Sequence, residues 1–114
     1  MTIVLFTNDL MFQSRIASVV RNSGGNFIVA RDLDSLASRL QTGLVPTSVV
    51  FDLSVPGLEL ERIATDLRER YPQAKQIAYG PHVDVERLQH AKAIGIDEVL
   101  TRGQFDREMA SFLS

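Results

Sequence analysis

The sequence predicts an α/β fold, a three-layer sandwich of one five-stranded parallel sheet with five helices over its two faces. Three observations lead there. Short apolar runs alternate along the chain with segments whose apolar residues recur at helical spacing. One run, Val49, Val50 and Phe51, is apolar without alternation, as a strand buried on both faces should be. Strict alternation of strand and helix requires right-handed crossovers, which makes the sheet parallel and puts helices on both sides.

In chain order, residues 3–6 ("IVLF") form the first strand, and the "TND" that follows is a helix-capping turn. Phe12, Ile16, Val19 and Val20 are the stripe of the first helix, which Ser23-Gly24-Gly25 stops. Residues 27–30 are the second strand. Leu33, Leu36, Ala37 and Leu40 give the second helix, with Asp32 as N-cap and Gly43 as the stop. The third strand ends at Asp52. Leu60, Ile63, Ala64 and Leu67 make the third helix, which ends before Pro72 because a residue preceding proline disfavours the helical region. "KQIAYG" is the fourth strand, and Val85, Leu88 and Ala91 carry a helix ending near Gly95. "DEVLT" is the fifth strand, and Phe105, Met109, Phe112 and Leu113 the fifth stripe.

The 114 residues, 45% apolar and 23% charged, fit one domain spanning 1–114. Twelve basic against 14 acidic side chains leave a net charge of −2, which argues against nucleic acid as a partner. The absence of cysteine excludes a disulfide framework and Cys-ligated zinc. The opening residues lack a basic region, and no apolar run is long enough for a membrane span, so a cytoplasmic protein is expected.

Asp52 interrupts an apolar strand at its carboxyl end, the edge at which open α/β sheets place ligands and chemistry. The same topology brings Asn8 and Asp9, Gly80 and Arg102 to that edge. At these residues the chain resembles the receiver domain of two-component response regulators, a flavodoxin-like fold, over essentially its whole length. The resemblance lies in "VLFTND", in "VVFDLSVPG", in "GIDEVLTRGQF", and in the ungapped spacing from Asp52 to Tyr71 and Pro72. It implies a signalling domain, not an enzyme, with Asp52 as phosphoacceptor and a histidine kinase as donor. It also implies Mg²⁺ held weakly by Asp9, Asp52 and the carbonyl of Ser54. Asn8 replaces an acid of the family's pair and can orient only a metal-bound water.

Other positions depart from the pattern. Gly80 stands where the family has a responding hydroxyl, Val99 where it has a rotating aromatic, and Arg102-Gly103 where it has lysine and proline. Arg102 can serve phosphate or clamp Asp52, and the expectation is a resting Asp52–Arg102 hydrogen bond that compensates the buried carboxyl. Coupling of phosphorylation to the output surface should be weak. Protein contact, including a homodimer through the fourth helix, fifth strand and fifth helix with Val85 and Leu88, becomes the expected mode of action.

Plainer readings stand beside these. Asp9 alone is an N-cap, Gly24-Gly25 a C-cap rather than a phosphate loop, and His82 and His90 are solvated residues without a ligand partner. Two rival functions are a regular receiver that switches on phosphotransfer and a flavodoxin-like cofactor-binding domain. Against the second, "FTNDLMF" offers one threonine and no glycine for a flavin phosphate.

Overall fold

The structure, a computed structural model, describes residues 1–40 and 43–113. Strands β1 (Thr2–Phe6), β2 (Asn26–Ala30), β3 (Ser48–Asp52), β4 (Lys75–Gly80) and β5 (Glu98–Thr101) alternate with helices α1 (Leu10–Asn22), α2 (Leu33–Arg39), α3 (Leu60–Arg70), α4 (Val85–Ala93) and α5 (Arg102–Leu113). All strands are parallel, in the order β2-β1-β3-β4-β5. The chain moves outward from β1 to one edge and from β3 to the other, so the crevice for a site opens at the carboxyl ends of β1 and β3.

Successive strand residues face opposite sides of the sheet, and the sequence fills the two sides differently. Val4, Phe6, Val49, Phe51 and Ala78 pack with Leu36, Ile63, Leu67 and Ala91 of α2, α3 and α4, and Phe6 stacks on Phe51 at 5.3 Å. Ile3, Leu5, Val50, Ile77 and Tyr79 pack with α1 and α5. There Tyr79, Phe12 and Phe105 pack as a mutual trio, with ring centroids 4.8 Å (Phe12–Tyr79), 4.9 Å (Tyr79–Phe105) and 5.9 Å (Phe12–Phe105) apart. β1 and β3 are buried throughout, whereas the edge strands β2 and β5 are largely half-buried.

The expected helix signals operate. Asp9 accepts from the Phe12 N–H at the start of α1, and Asp32 forms a capping box with Ser35 at the start of α2. Gly24, at φ +77°, takes the left-handed conformation that ends α1. α3 stops at Arg70, ahead of Pro72.

Two expectations change and a third borders residues outside the described ones. Ala37 is exposed, while Leu33, Leu36 and Leu40 of the expected stripe pack on the core. The stop at Gly43 adjoins residues 41–42, which lie outside the described residues, although Gly43 itself has φ +96°. Asp97 precedes β5 instead of opening it, since its carboxylate is taken by the Gln76 N–H at 2.8 Å and by Arg68 at 3.1 Å. Among the described residues no helix is long and apolar enough to cross a membrane.

Candidate functional site

Asp52 is the last residue of β3 and only 2% exposed. Its Oδ2 accepts the Thr7 hydroxyl at 2.6 Å, while Oδ1 accepts both the N–H and the hydroxyl of Ser54, at 2.9 and 2.6 Å. Thr7 in turn accepts the Asp9 N–H at 3.1 Å, so the end of β1 and the turn after β3 enclose the carboxyl group from two sides. Burying such a group without partners would be costly, and three donors compensate it.

Arg102 is therefore not the partner of Asp52, and the expected clamp is corrected. The first residue of α5, it pairs through Nη2 with Oδ2 of Asp9, and its guanidinium lies 4.8 Å from the centroid of the Phe12 ring. The physical reason is occupancy: Thr7 and Ser54 already satisfy Asp52, whereas Asp9 has one oxygen on the Phe12 N–H and the other free for a cation. The Phe12 N–H, then Arg102, lower the Asp9 pKa below the usual carboxylate value despite partial burial.

Gly80 closes β4 beside this site. A Cβ there would come within 3.1 Å of the Leu53 Cβ, and Leu53 is 3% exposed. An apolar side chain thus fills the space into which a hydroxyl at position 80 would project. Leu53 also fixes α4, because the Arg87 guanidinium donates to its carbonyl. Next to Asp52 in the sheet, Tyr79 shares its face. Its hydroxyl is buried with no hydrogen-bond partner among the described residues, and burial, followed by the charge of Asp52, raises the phenol's pKa far above the ordinary value. Tyr79 is a neutral group at the floor of the site.

Thr7, Leu53, Tyr79 and Arg87 were not among the residues singled out from sequence. Asn8 is exposed, and His82 and His90 are exposed as expected. As arranged here, the donor set fits a divalent cation poorly: Asp9 is committed to Arg102, and Asp52 to Thr7 and Ser54. The described residues contain no group of three or more His, Cys, Asp or Glu placed to hold a metal. A cation must displace those contacts before these oxygens can ligate it.

No family model matches the sequence, and no curated protein matches it. Its fold is that of response regulator receiver domains, shared with many solved structures. A response regulator receiver domain protein from Clostridium thermocellum superposes with TM-score 0.76 at 16% identity, over 98% of this chain and 90% of that one. An uncharacterized protein from Neptuniibacter caesariensis gives TM-score 0.80 at 18% identity, over 98% of this chain and 83% of that one. A response regulator from Burkholderia pseudomallei, solved with a phosphorylated aspartic acid, a calcium ion and citrate, gives TM-score 0.76 at 15% identity, over 99% of this chain and 66% of that one.

Proposed function

We propose that this chain is a divergent receiver domain that transmits signals through protein contact, with Asp52 retained as a phosphoacceptor weakly coupled to the output surface. The observation that carries this reading is a buried aspartate at the carboxyl end of a central strand whose neighbouring responder position is Gly80, its space filled by Leu53. Phosphorylation would have an oxygen of Asp52 attack the phosphorus of a kinase phosphohistidine. The P–N bond breaks, and the imidazole leaves. Mg²⁺, held by Asp9, Asp52 and the Ser54 carbonyl with Asn8 orienting a water, would supply charge compensation for the incoming phosphoryl group. Thr7 and Ser54 must first turn away from Asp52, and Arg102 from Asp9.

The output surface in this reading is α4, β5 and α5, where Val85 is 53% exposed and Val99 is half-buried. It forms a homodimer whose strength is independent of phosphate. The chain is a signalling module rather than an enzyme, and the cytoplasm is its proposed location.

Intact mass after incubation with magnesium and acetyl phosphate tests the acceptor: one added phosphoryl group on the parent and none on Asp52→Asn is expected. Sedimentation with and without donor tests the coupling. No transfer removes Asp52 as acceptor, and a dimer that forms only with donor makes the protein a regular switching receiver.

A further inference from the structure

On the sheet edge opposite β5, a cleft of about 1450 Å³ opens between α1, β2 and α2 and runs on past Thr7 and Asn8 to Val55 and Pro56 at the carboxyl end of the sheet. It is lined by residues 27–30, four consecutive positions of β2. Consecutive strand residues point to opposite faces, so a cleft meeting all of them meets the strand's edge. β2 pairs with β1 alone, and among the described residues the outward N–H and C=O groups of residues 27–30 have no partner. Such an edge is a template for another strand.

The cleft also concentrates unpaired charge. Arg21, Arg31 and Arg39 line it, all exposed, and none takes part in an ion pair of the described residues. The lining's acid, Asp32, has a carboxylate oxygen on the Ser35 N–H. In a chain of net charge −2 this rim carries three cations against one anion. Arg21 lies in the last turn of α1 and Arg39 ends α2, and because both helices run back against β2 these ends face its start, while Arg31 follows its last residue. Positive groups therefore bracket the strand, with half-buried Phe27, Ile28 and Val29 between them.

We propose that this cleft docks an extended acidic segment of a partner protein, which adds to β2 as a sixth strand with apolar residues at its centre and carboxylates towards its ends. A second copy of this chain is disfavoured, because two-fold pairing of β2 with itself would bring the same arginines together. A small anion would leave the strand edge unused. The inference rests on the edge strand and its rim, independently of the reading of Asp52.

The test uses labelled acidic hexapeptides with Val, Ile, Leu or Phe at the centre and Asp or Glu at both ends, followed by fluorescence polarisation and amide chemical shifts. Binding should shift the amides of residues 26–30. It should weaken roughly three- to tenfold for each of Arg21→Glu, Arg31→Glu and Arg39→Glu, and fall with added salt. The same peptide with proline at its centre keeps its charge but loses ladder donors, and it should bind at least tenfold more weakly. Equal binding of the proline peptide, or of a single-stranded oligonucleotide of equal charge, would overturn strand addition. Failure of every acidic peptide to bind at about 1 mM would overturn the docking site itself. Asp52→Asn serves as a control that should bind as the parent does, so a failed phosphorylation assay leaves this result standing.

Discussion

Around Asp52 every charged group has a partner inside the chain, whereas around β2 three arginines have none among the described residues. The first arrangement spends its polar contacts on the folded state, and the second leaves them to whatever docks there. Burial makes the difference: Asp52 is 2% exposed and cannot remain unpartnered without a large cost, while solvent satisfies the guanidinium groups at the β2 rim. The carboxyl-end site should thus respond to mutation in stability and the β2 rim in binding.

The largest effect should come from the space between Leu53 and Gly80. Leu53→Ala should cost about 2–4 kcal/mol by opening a cavity, and Gly80→Thr about 1–3 kcal/mol by crowding Leu53. Together they should cost clearly less than the sum, because each relieves the other. Denaturant unfolding of the two single variants and the double variant measures this, and simple additivity would mean that the residues do not share the space.

Thr7→Val keeps the shape and removes the hydroxyl on the Asp52 Oδ2. It should destabilise by about 1–3 kcal/mol, read by the same unfolding measurement. A variant as stable as the parent would show that water replaces that hydroxyl, making the site as open as the β2 rim.

Asp9→Ala should cost about 0.5–2 kcal/mol through the lost N-cap. Because the folded-state pKa of Asp9 lies below the ordinary aspartate value, the contribution is complete above that ordinary value and fades as pH falls through the lower folded one. The gap between parent and variant in an acid unfolding series should shrink accordingly. Arg102→Ala should cost less, about 0–1 kcal/mol, since its side chain is 46% exposed.

The smallest effect belongs to the other region. Arg21→Ala, Arg31→Ala and Arg39→Ala should each change unfolding free energy by no more than about 0.5 kcal/mol. A larger loss in any of them would place that arginine in the fold and erase the contrast.

How much could be read beforehand depended on whether a signal was local. Strands and caps were legible because "IVLF", "VVF" and Asp32 act on their immediate neighbours. Asp9 and Asp52 were legible because topology alone gathers the strand ends. The partner of Arg102 was not, since two carboxylates lie at the same edge and the choice depends on which is already occupied. Thr7 was read as part of a turn; its bond to Asp52 joins residues 45 positions apart. Leu53 beside Gly80 is a fit in space, invisible in either residue alone, and in α2 the stripe narrows to Leu33, Leu36 and Leu40 while Ala37 stays exposed.

The stack of Phe12, Tyr79 and Phe105 also gives the protein an optical handle. The chain has no tryptophan and two tyrosines, so its longest-wavelength ultraviolet absorption comes from Tyr71 and Tyr79. Tyr79 is 1% exposed and packed against two rings on the same sheet face as Asp52. A chromophore so immobilised gives near-ultraviolet circular dichroism that disappears when side-chain packing loosens, even while the helices persist. Events at Asp52 can therefore be followed without a label, by the asymmetry of a neighbouring phenol.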